Sequence, residues 1–476
     1  MTRQFGMNTR FTFDETLLTL ARAFARKGFE LFAVGGHVRN TLLSLPISDT
    51  DITSAMRPDE VKTLCAEMGL STVDKGIKFG MVEIHTGGNS YEHTTFRADK
   101  YAEGGAHRPQ AIAFADTVEE DAFRRDFTVN ALYCGVLTGN ITDPTGGLED
   151  IKDRVIKSTS PDPKAILSDD GLRLLRLCRF AAELGFDIEA GTYAAAKQCA
   201  PLLADISGER VRDELNKILL SDKKYGIPAD ESVLRGLRLI DELRLVDVII
   251  PELVPCRGMR QSPKFHKYPV LEHIIVTASM AEDEGLENDK TALLNVRLAC
   301  LLHDVAKPVV FAEQGNMHGH DERGEIISRE ILRRLKYDNQ TIDIVTWLVR
   351  QHMFDIDGNA KEPTLKKRFC VWGEEKVRLL AAVRRADFRG SVGERIAVKS
   401  ADRWIRVLKE MQAQGAPFSE DELACTGADI MEWLNEPPSK KIGKIKHAML
   451  LHCACRPQDN TKEKLNKLVN DMKNME

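Results

Sequence analysis

The stretch Gly35-Gly36-His37-Val38-Arg39-Asn40, followed by Asp49-Thr50-Asp51-Ile52, decides the fold of this chain. Before it, the apolar run 31–34 predicts a short buried strand. Paired glycines let the backbone turn tightly and approach a polyphosphate closely, where a Cβ atom would clash. If Asp49 and Asp51 lie on a strand, their side chains point to the same face, with their bases about 7 Å apart. Two such carboxylates suit the oxygen-seeking ion Mg²⁺, so the stretch predicts a magnesium and nucleotide site.

Each half of this pattern is common by itself, because a glycine pair is usually a plain turn and an Asp-x-Asp pair is usually solvated. Together, at this spacing and after an apolar strand, they resemble the nucleotidyltransferase superfamily, which extends from DNA polymerase beta to the tRNA nucleotidyltransferases. A two-metal site of this kind activates an attacking hydroxyl and neutralises a leaving pyrophosphate. The resemblance implies that Asp49 and Asp51 are catalytic Mg²⁺ ligands and that Gly35, Gly36 and Arg39 bind the nucleotide.

The neighbouring segments predict the rest of an α/β domain. Apolar residues at helical spacing over 14–27 predict a helix that Gly28 ends. Alternating runs between residues 72 and 114 predict strands of a mixed sheet, and Ala111-Ile112-Ala113-Phe114 is one of them. Glu83 lies on another run and is either a third catalytic carboxylate or an outward-facing strand residue. The glycine-rich segment 98–106 predicts either a mobile loop beside the site or a plain hairpin connection.

Composition bounds the class of protein. A chain of 476 residues predicts two to four domains, and its 43% hydrophobic and 29% charged residues are typical of a soluble globular protein. The sequence has no long apolar run and no secretory signal, and its ten cysteines include no C-x-x-C pair. These features predict a cytoplasmic protein with reduced cysteines and no membrane partner. The formal net charge of −5 does not exclude a nucleic-acid partner, because a local basic groove suffices.

A dense polar cluster runs from residue 120 to residue 130. Arginine can hold a triphosphate with two hydrogen bonds, and Asp and Asn can bind a ribose 2′-hydroxyl. The segment 124–132, Arg-Arg-Asp-Phe-Thr-Val-Asn-Ala-Leu, resembles the R-R-D-F-T-[IV]-N-A-L motif of class II tRNA nucleotidyltransferases and the related bacterial poly(A) polymerases. The resemblance implies that Arg125, Asp126 and Asn130 bind the nucleotide.

From residue 160 onward, long helical periods replace the strand patterns. Arg173, Arg176 and Arg179 recur every three residues along one side of a predicted helix, and Asp170 lies three residues earlier on that side. A surface ion-pair stripe is one interpretation. The other is that Asp170 and Arg173 hydrogen-bond the Watson–Crick edge of C or A, while Arg176 and Arg179 hold the nucleotide's phosphates. The segment resembles the family's base-selecting E-D-x-x-R motif, with Asp169 in place of Glu.

The C-terminal half contains a second constellation, made of histidines and aspartates. An adjacent His303-Asp304 pair is flanked by the distant His273 and Asp387. Imidazole and carboxylate together suit a divalent transition metal or Mg²⁺. The pattern resembles the H…HD…D signature of HD-type metal phosphohydrolase domains, which implies that these four residues hold a second divalent metal. Two more histidines are either further ligands or phosphate contacts: His320 and His352.

The resemblance covers nearly the whole chain and implies its organisation. The implied domains are an α/β nucleotidyltransferase head with a polymerase-beta-like mixed sheet (1–150), an all-α neck (151–260), an HD-type helical body (261–400) and a helical tail (401–476). The implied activity is the Mg²⁺-dependent, template-independent addition of CCA to tRNA 3′ ends from CTP and ATP. No protein partner is inferred.

Rival functions share parts of these patterns. A poly(A) polymerase, or an A-adding or CC-adding tRNA nucleotidyltransferase, would carry the same head motifs. An HD metal phosphohydrolase whose head serves as an RNA-binding module is a rival from another class. The intact pair of Asp49 and Asp51 argues against that last function.

Overall fold

The chain divides into two compact units, Met1–Pro251 and Glu252–Glu476, here called the first and second units. A computed structural model describes residues 11–76, 79–100 and 111–473. The first unit contains a mixed sheet with helices, and the second is helical. The predicted α/β region followed by a helical region is confirmed, but the predicted all-α neck is wrong in one detail, because the short strands Val155–Ile156 and Asp187–Ile188 pair within it. The finer division into head, neck, body and tail stays a prediction. Within the described residues, none of the helices combines the length and apolarity that a membrane crossing requires.

The strands all lie in the first unit: β1 (Phe32–Val34), β2 (Asp51–Ser54), β3 (Ser71–Gly76), β4 (Met81–His85), β5 (Ser90–Thr95), β6 (Arg97–Lys100), β7 (Ala111–Phe114), β8 (Tyr133–Gly135), β9 (Ile141–Thr142), β10 (Val155–Ile156) and β11 (Asp187–Ile188). Among the described residues, seven of them form one sheet in the order β3-β4-β5-β2-β1-β8-β9. Strand β2 runs parallel to β5 and antiparallel to β1, so the sheet is mixed as predicted.

Strand β7 corrects one prediction. It does not join the seven-stranded sheet but pairs with β6 in a separate two-stranded ribbon. The Phe96 amide makes the last bond to β2, at the Ser54 oxygen, and β2 ends there, so β6 has no partner in the main sheet and pairs with the strand that follows it in the chain. Most of the predicted loop 98–106, which would connect the two strands of the ribbon, lies outside the described residues.

The helices of the first unit are α1 (Glu15–Arg26), α2 (Gly36–Leu42), α3 (Pro58–Glu67), α4 (Val118–Phe123), α5 (Gly147–Asp153), α6 (Pro163–Asp169), α7 (Leu172–Leu184), α8 (Ala190–Cys199), α9 (Gly208–Leu219), α10 (Asp222–Tyr225), α11 (Ser232–Glu242) and α12 (Val246–Ile249). The Asp14 side chain accepts a hydrogen bond from the Leu17 amide at the start of α1, and Gly28 follows the helix with a φ of +86°, as its C-terminal pattern predicts. Beside the sheet, the rings of Phe32 and Phe96 each lie nearly perpendicular to the ring of Tyr133 and in contact with it. This apolar cluster anchors the strands that carry the candidate site.

The helices of the second unit are α13 (Val270–Met280), α14 (Lys290–Leu302), α15 (Lys307–Gln314), α16 (His320–Arg334), α17 (Asn339–Gln351), α18 (Glu362–Trp372), α19 (Glu374–Val392), α20 (Lys399–Ala413), α21 (Gly427–Leu434), α22 (Lys440–Cys455) and α23 (Lys462–Lys473). Helix α13 packs against α14 and α19, and α14 packs against α17 and α19. At Gly390 of α19, a Cβ atom would lie 2.1 Å from Thr277 Oγ1 of α13. Glycine therefore lets these two helices approach closely, which brings Asp387 toward His273.

Candidate functional site

The paired glycines form the turn between β1 and α2. Gly35 is the residue before α2 and has a φ of +68°, in the left-handed region that favours glycine, while Gly36 begins the helix. The strand before the turn is buried throughout. The structure therefore has the predicted buried strand followed by the predicted glycine turn.

Asp49 and Asp51 follow on the next segment, and both are exposed to solvent. Only Asp51 lies on a strand, as the first residue of β2, while Asp49 lies in the loop just before it. Partial desolvation by the surrounding protein raises the pKa of the Asp51 carboxyl, and the charge of Asp49 raises it further. The positive charge of the nearby Arg125 acts in the opposite direction. The two carboxylates thus lie close enough to repel each other and remain open to a ligand.

Two more carboxylates continue from Asp51 across one face of the sheet. In the register of the strands, Asp51 is the partner of Glu92 on β5, and Glu92 is the partner of Glu83 on β4. Partners in register point to the same face, so these three residues form a row, here called the carboxylate row. Burial, then the charge of Asp51, raise the pKa of Glu92, with a smaller contribution from Glu83.

Glu92 is the functional candidate that sequence reasoning missed. The predicted third carboxylate, Glu83, lies two strands away from Asp51 and is paired with Lys75 Nζ at 3.1 Å. Glu92 lies one strand away and is exposed. The only local signal was that Glu92 alternates with the buried Tyr91 and His93. This alternation predicts that Glu92 points outward, but it does not predict which strand lies beside it.

Arg39 is buried and makes contacts within the protein. Its guanidinium donates hydrogen bonds to the Asn40 and Asn130 side chains and, at 3.2 Å, to the Tyr225 hydroxyl. Burial lowers its pKa. Its predicted nucleotide contact stays a prediction, and the contacts shown are those of a residue that fixes the glycine turn against α10 and the 124–132 segment.

Arg125 is held rigidly beside the carboxylates by a buried network. Its Nε donates to the Tyr133 hydroxyl at 2.9 Å and to Asp121 Oδ2 at 3.1 Å, and the Tyr133 hydroxyl donates to the same oxygen at 2.6 Å. Burial disfavours the charged form of Asp121, but the positive charges of Arg125 and Arg124 outweigh this and hold the pKa of Asp121 well below its usual range. The network presents a fixed positive charge near Asp51.

Asp126 lies at the junction of the sheet and α7. Its Oδ2 accepts hydrogen bonds from Arg176, with the closest nitrogen at 2.6 Å, and its Oδ1 accepts one from Asn130 at 3.2 Å. Burial disfavours the charged carboxylate, but Arg176 outweighs it and lowers the pKa of Asp126 to about 2. Three of the predicted nucleotide-binding residues are therefore brought together here.

Asp170 corrects the prediction for the base-selecting segment. It does not lie on the helix with the arginines but in the break between α6 and α7, where its Oδ1 accepts from the Leu172 amide at 3.0 Å. Its other oxygen accepts from Arg210 at 2.7 Å. A short polar side chain that bonds to the nearby backbone favours turns over helix interiors, which agrees with the position of Asp170 between the two helices.

The arginines of α7 face different partners. Arg173 is buried and donates to the main-chain oxygens of Ile166 at 2.6 Å and Arg124 at 2.7 Å. Arg179 is buried as well, and it donates to Glu214 at 2.6 Å and to Glu183 at 3.0 Å. Because Arg173 and Arg179 are both buried, these arginines do not form a surface ion-pair stripe.

The second unit brings six distant residues into one buried cluster, here called the histidine cluster: His273, His303, Asp304, His320, His352 and Asp387. One ligand atom from each of His273, His303 and Asp387 lies within 4.8 Å of the others, and the same holds for Asp304, His320 and His352. Both groups have the composition and spacing of a metal centre. The four residues predicted from the HD pattern and the two extra histidines are thus all part of this cluster.

Charges inside the cluster are strongly coupled. Burial disfavours a charged His303, but the carboxylates of Asp304 and Asp387 outweigh it and raise its pKa to about 10. Burial, followed by His303 and His320, lowers the pKa of His352 to about 3. Lys307 Nζ lies 2.6 Å from Asp304 Oδ2 and adds positive charge. The site therefore holds negative carboxylates that require cationic partners.

Known protein families and solved structures are similar to this chain. Three family models match the chain: the poly A polymerase head domain over residues 31–157, the probable RNA and SrmB-binding site of polymerase A over residues 185–256, and the HD domain over residues 270–388. A CCA-adding enzyme of Geobacillus stearothermophilus is 29% identical over 452 residues, which cover 94% of each chain. The chain therefore carries a poly A polymerase head domain, followed by the probable RNA and SrmB-binding region of polymerase A and an HD domain.

Other CCA-adding enzymes are similar to this chain over shorter stretches or in structure. A CCA-adding enzyme of Limosilactobacillus fermentum is 44% identical over 193 residues, 40% of this chain and 46% of that relative. This chain therefore spans about half the length of the first curated relatives that it matches. The crystal structure of Bacillus stearothermophilus CCA-adding enzyme in complex with CTP has a TM-score of 0.71 and 25% identity, and the match covers 97% of this chain and 99% of that one.

Proposed function

We propose that this chain adds CCA to the 3′ end of tRNA, using CTP and ATP and releasing pyrophosphate. The observation that carries the proposal is an accessible pair of carboxylates beside a tight glycine turn, in a chain similar to CCA-adding enzymes over 94% of its length. The related structure with CTP supports the choice of nucleotide. Template-independent addition needs a site that selects C and A by hydrogen bonds from the protein itself.

Mg²⁺ is the cofactor that we propose for this site. Asp49 and Asp51 are exposed carboxylates, and hard oxygen donors of this kind fit that ion. When bound, the ion supplies positive charge that favours loss of the hydroxyl proton and neutralises the leaving pyrophosphate. We place Glu92 rather than Glu83 as the third carboxylate, because Glu92 is the register partner of Asp51 and Glu83 is paired with Lys75.

The chain's own residues position the reactants. The turn at Gly35 and Gly36 lets the triphosphate approach the backbone, and Arg125, fixed by its buried network, offers positive charge to it. Asp49 and Asp51 hold the ion and help to deprotonate the terminal 3′-hydroxyl. That hydroxyl then attacks the α-phosphate in line, forming the new phosphodiester bond as the bond to pyrophosphate breaks.

Nucleotide selection falls to the residues at the junction with α7. Asp126 and Asn130 are joined by a hydrogen bond and can bind the ribose, while Arg176 holds Asp126 in place. Arg173, fixed by two main-chain oxygens, and Asp170 are proposed to read the Watson–Crick edge of the base.

The experiment uses tRNA transcripts that end before CCA, after C and after CC, each with one nucleoside triphosphate at a time and with 3′ ends read by sequencing. We expect CTP to add two residues to the first transcript and one to the second, and ATP to add one residue to the third. Long runs of A on any transcript would instead indicate a poly(A) polymerase. Addition confined to C or to A would indicate a partial enzyme.

A second candidate function belongs to the second unit. We propose that His273, His303, Asp304 and Asp387 hold a divalent metal, since their side chains converge and are buried. Such a site suits hydrolysis of a phosphate ester. The test is hydrolysis of bis(p-nitrophenyl) phosphate by the Mn²⁺-loaded full chain, where Asp304→Asn should abolish activity and Asp49→Ala should preserve it. Equal activity in the Asp304→Asn variant would reject this function.

A further inference from the structure

The loop between α2 and β2 contains Asp49 and ends at Asp51, so its conformation decides where these two carboxylates lie. Residues 45–50 form neither helix nor strand, and residues 46–49 are exposed to solvent. An exposed segment of this kind has many conformations of similar energy, and ordering it costs conformational entropy. Contacts with the rest of the fold must therefore restrain the loop if the two carboxylates are to act together.

Helix α2 holds this loop at two places. Near the start of the loop, Asn40 Nδ2 donates a hydrogen bond to the Pro46 main-chain oxygen at 2.9 Å. Near its end, His37 Nδ1 and the Thr50 hydroxyl lie 2.9 Å apart and share a hydrogen bond. His37 and Asn40 are three residues apart on α2, so they are neighbours on one side of the helix. One short helix thus restrains the loop on both sides of Asp49.

Thr50 is the residue between the two aspartates. One peptide group joins it to Asp49 and another joins it to Asp51, and each peptide group is planar and rigid. A hydrogen bond that fixes the Thr50 side chain therefore also restricts the main chain that carries both carboxylates. Because this bond uses the Thr50 hydroxyl, it leaves the carboxylate oxygens of both aspartates available to a ligand.

His37 is itself held in place. Its side chain is buried, and the centre of its ring lies 5.3 Å from that of Phe13, with 22° between the two planes. Its main-chain oxygen accepts a hydrogen bond from Thr41 Oγ1 at 2.8 Å. A side chain that packing already restricts loses less conformational freedom on forming a hydrogen bond than an exposed side chain does. The partner of Thr50 is therefore a preorganised group.

We propose that His37 and Thr50 are a positioning pair for the magnesium site of the first unit. Their hydrogen bond holds residues 45–51 in the conformation in which Asp49 and Asp51 face a common ligand, so both side chains act through the main chain. This inference rests on the proposed function and adds the residues that hold its metal ligands in place. A net hydrogen bond contributes modestly to such preorganisation, so its loss should weaken ion binding about fivefold.

The first experiment uses the full chain without added metal or nucleotide. Hydrogen–deuterium exchange, read by mass spectrometry, measures how firmly residues 45–51 are held. His37→Leu and Thr50→Val each remove the hydrogen bond and keep a side chain of similar size, so each should make this segment exchange about fivefold faster. Thr41→Val makes the same chemical change on α2 and should leave the segment at its original rate. Unchanged exchange in both the His37 and the Thr50 variants would overturn the inference.

Two further variants separate the hydrogen bond from packing. The amide atoms of asparagine are bonded to Cγ, as Nδ1 is in histidine, so His37→Asn should keep the slow exchange. The double variant His37→Leu/Thr50→Val should exchange no faster than either single variant, because both substitutions remove the same bond. Additive effects in the double variant, or fast exchange in His37→Asn, would show that the two side chains act independently and would contradict the pair.

The second experiment measures the ion directly. Electron paramagnetic resonance follows the Mn²⁺ binding that depends on CTP, whose dissociation constant should rise about fivefold in His37→Leu and in Thr50→Val but not in Thr41→Val. If the unsubstituted chain bound no additional Mn²⁺ with CTP, the proposed function would be rejected. If it did bind Mn²⁺ with CTP, and the His37 and Thr50 variants bound it equally well, the positioning pair alone would be rejected.

Discussion

The two candidate metal sites of this chain differ in almost every physical respect. The carboxylate row and Asp49 offer only oxygen atoms, and Asp49, Asp51 and Glu92 are open to solvent. The histidine cluster offers four nitrogens as well as two carboxylates, and all six side chains are buried. An open oxygen site suits an ion that arrives and leaves with a nucleotide, whereas a closed nitrogen-rich site suits a resident ion. If both proposals hold, the chain has one site for an exchangeable ion and another for a resident ion.

The largest expected effect comes from removing a carboxylate of the open site. Asp51→Ala should reduce nucleotide incorporation at least about a thousandfold, because several kcal/mol of charge stabilisation are lost. Incorporation of labelled CTP into tRNA lacking CCA measures the effect. Asp153→Ala, at an exposed aspartate at the end of α5, is the control and should be unaffected. Full activity of the Asp51 variant in excess Mg²⁺ would end the assignment.

A second variant pair sharpens the composition of the open site. Glu92→Gln should lower kcat about a hundredfold, since Glu92 is the register partner of Asp51. Glu83→Gln should change kcat by no more than about threefold, because the register places it one strand further away. The two substitutions are chemically identical, so each serves as the control for the other. The reverse order of effects would restore Glu83 as the third carboxylate.

Buried charge in the first unit offers a test by pH. The lowered pKa of Asp126 means that its ion pair with Arg176 stabilises the fold above the ordinary pKa of 3.8, and that this contribution is lost as the pH falls through about 2. Asp126→Asn should lower the free energy of unfolding by about 2 kcal/mol at neutral pH, with the difference shrinking below about pH 4.

Urea unfolding of both proteins across this pH range measures the difference, with the exposed Asp153→Asn as control. A deficit in Asp126→Asn that stays constant between neutral pH and about pH 2 would show that packing, and not the charge of Asp126, is what the substitution removes.

The smallest expected effect concerns base selection. Arg173→Ala should change the ratio of kcat/KM for CTP and ATP on matched primers about tenfold, because one set of hydrogen bonds to the base is lost. Arg210→Ala, which removes a partner of Asp170 but leaves Arg173 in place, is the comparison. If Arg173→Ala destabilises the fold but leaves the nucleotide ratio unchanged, its bonds to Ile166 and Arg124 are its whole role.

The comparison also shows what local sequence can predict. The buried strand, the glycine turn and the pair of Asp49 and Asp51 follow from short patterns with a clear chemical reason. The residues of the histidine cluster, spread over 273–387, were predicted from a resemblance to the H…HD…D signature. Glu92 was not predicted as a site residue, because its position beside Asp51 depends on which strand lies next to β2. That strand order is a property of the whole sheet. Contacts between residues that depend on the order of strands in a sheet cannot be predicted from residue spacing in the sequence.

Helix boundaries mark a second limit. The periodic arginines correctly predict a helix, but they do not predict the break at Asp170. There, Asp170 accepts hydrogen bonds from the Leu172 amide and from Arg210, which lies 40 positions away on another helix. Likewise, Arg39 is a polar residue beside a glycine turn in the sequence, and only the fold shows its guanidinium buried against Tyr225. Polar residues at such positions are equally able to bind a ligand or to hold the fold.

One measurement tests the central claim most directly: the number of Mn²⁺ ions bound per chain with and without CTP, in the unsubstituted chain and in Asp49→Asn/Asp51→Asn. We expect CTP to increase the count in the unsubstituted chain and to leave it unchanged in the variant, while the metal of the histidine cluster remains bound in both. An equal increase with CTP in the variant would show that these two carboxylates do not hold the metal against the nucleotide.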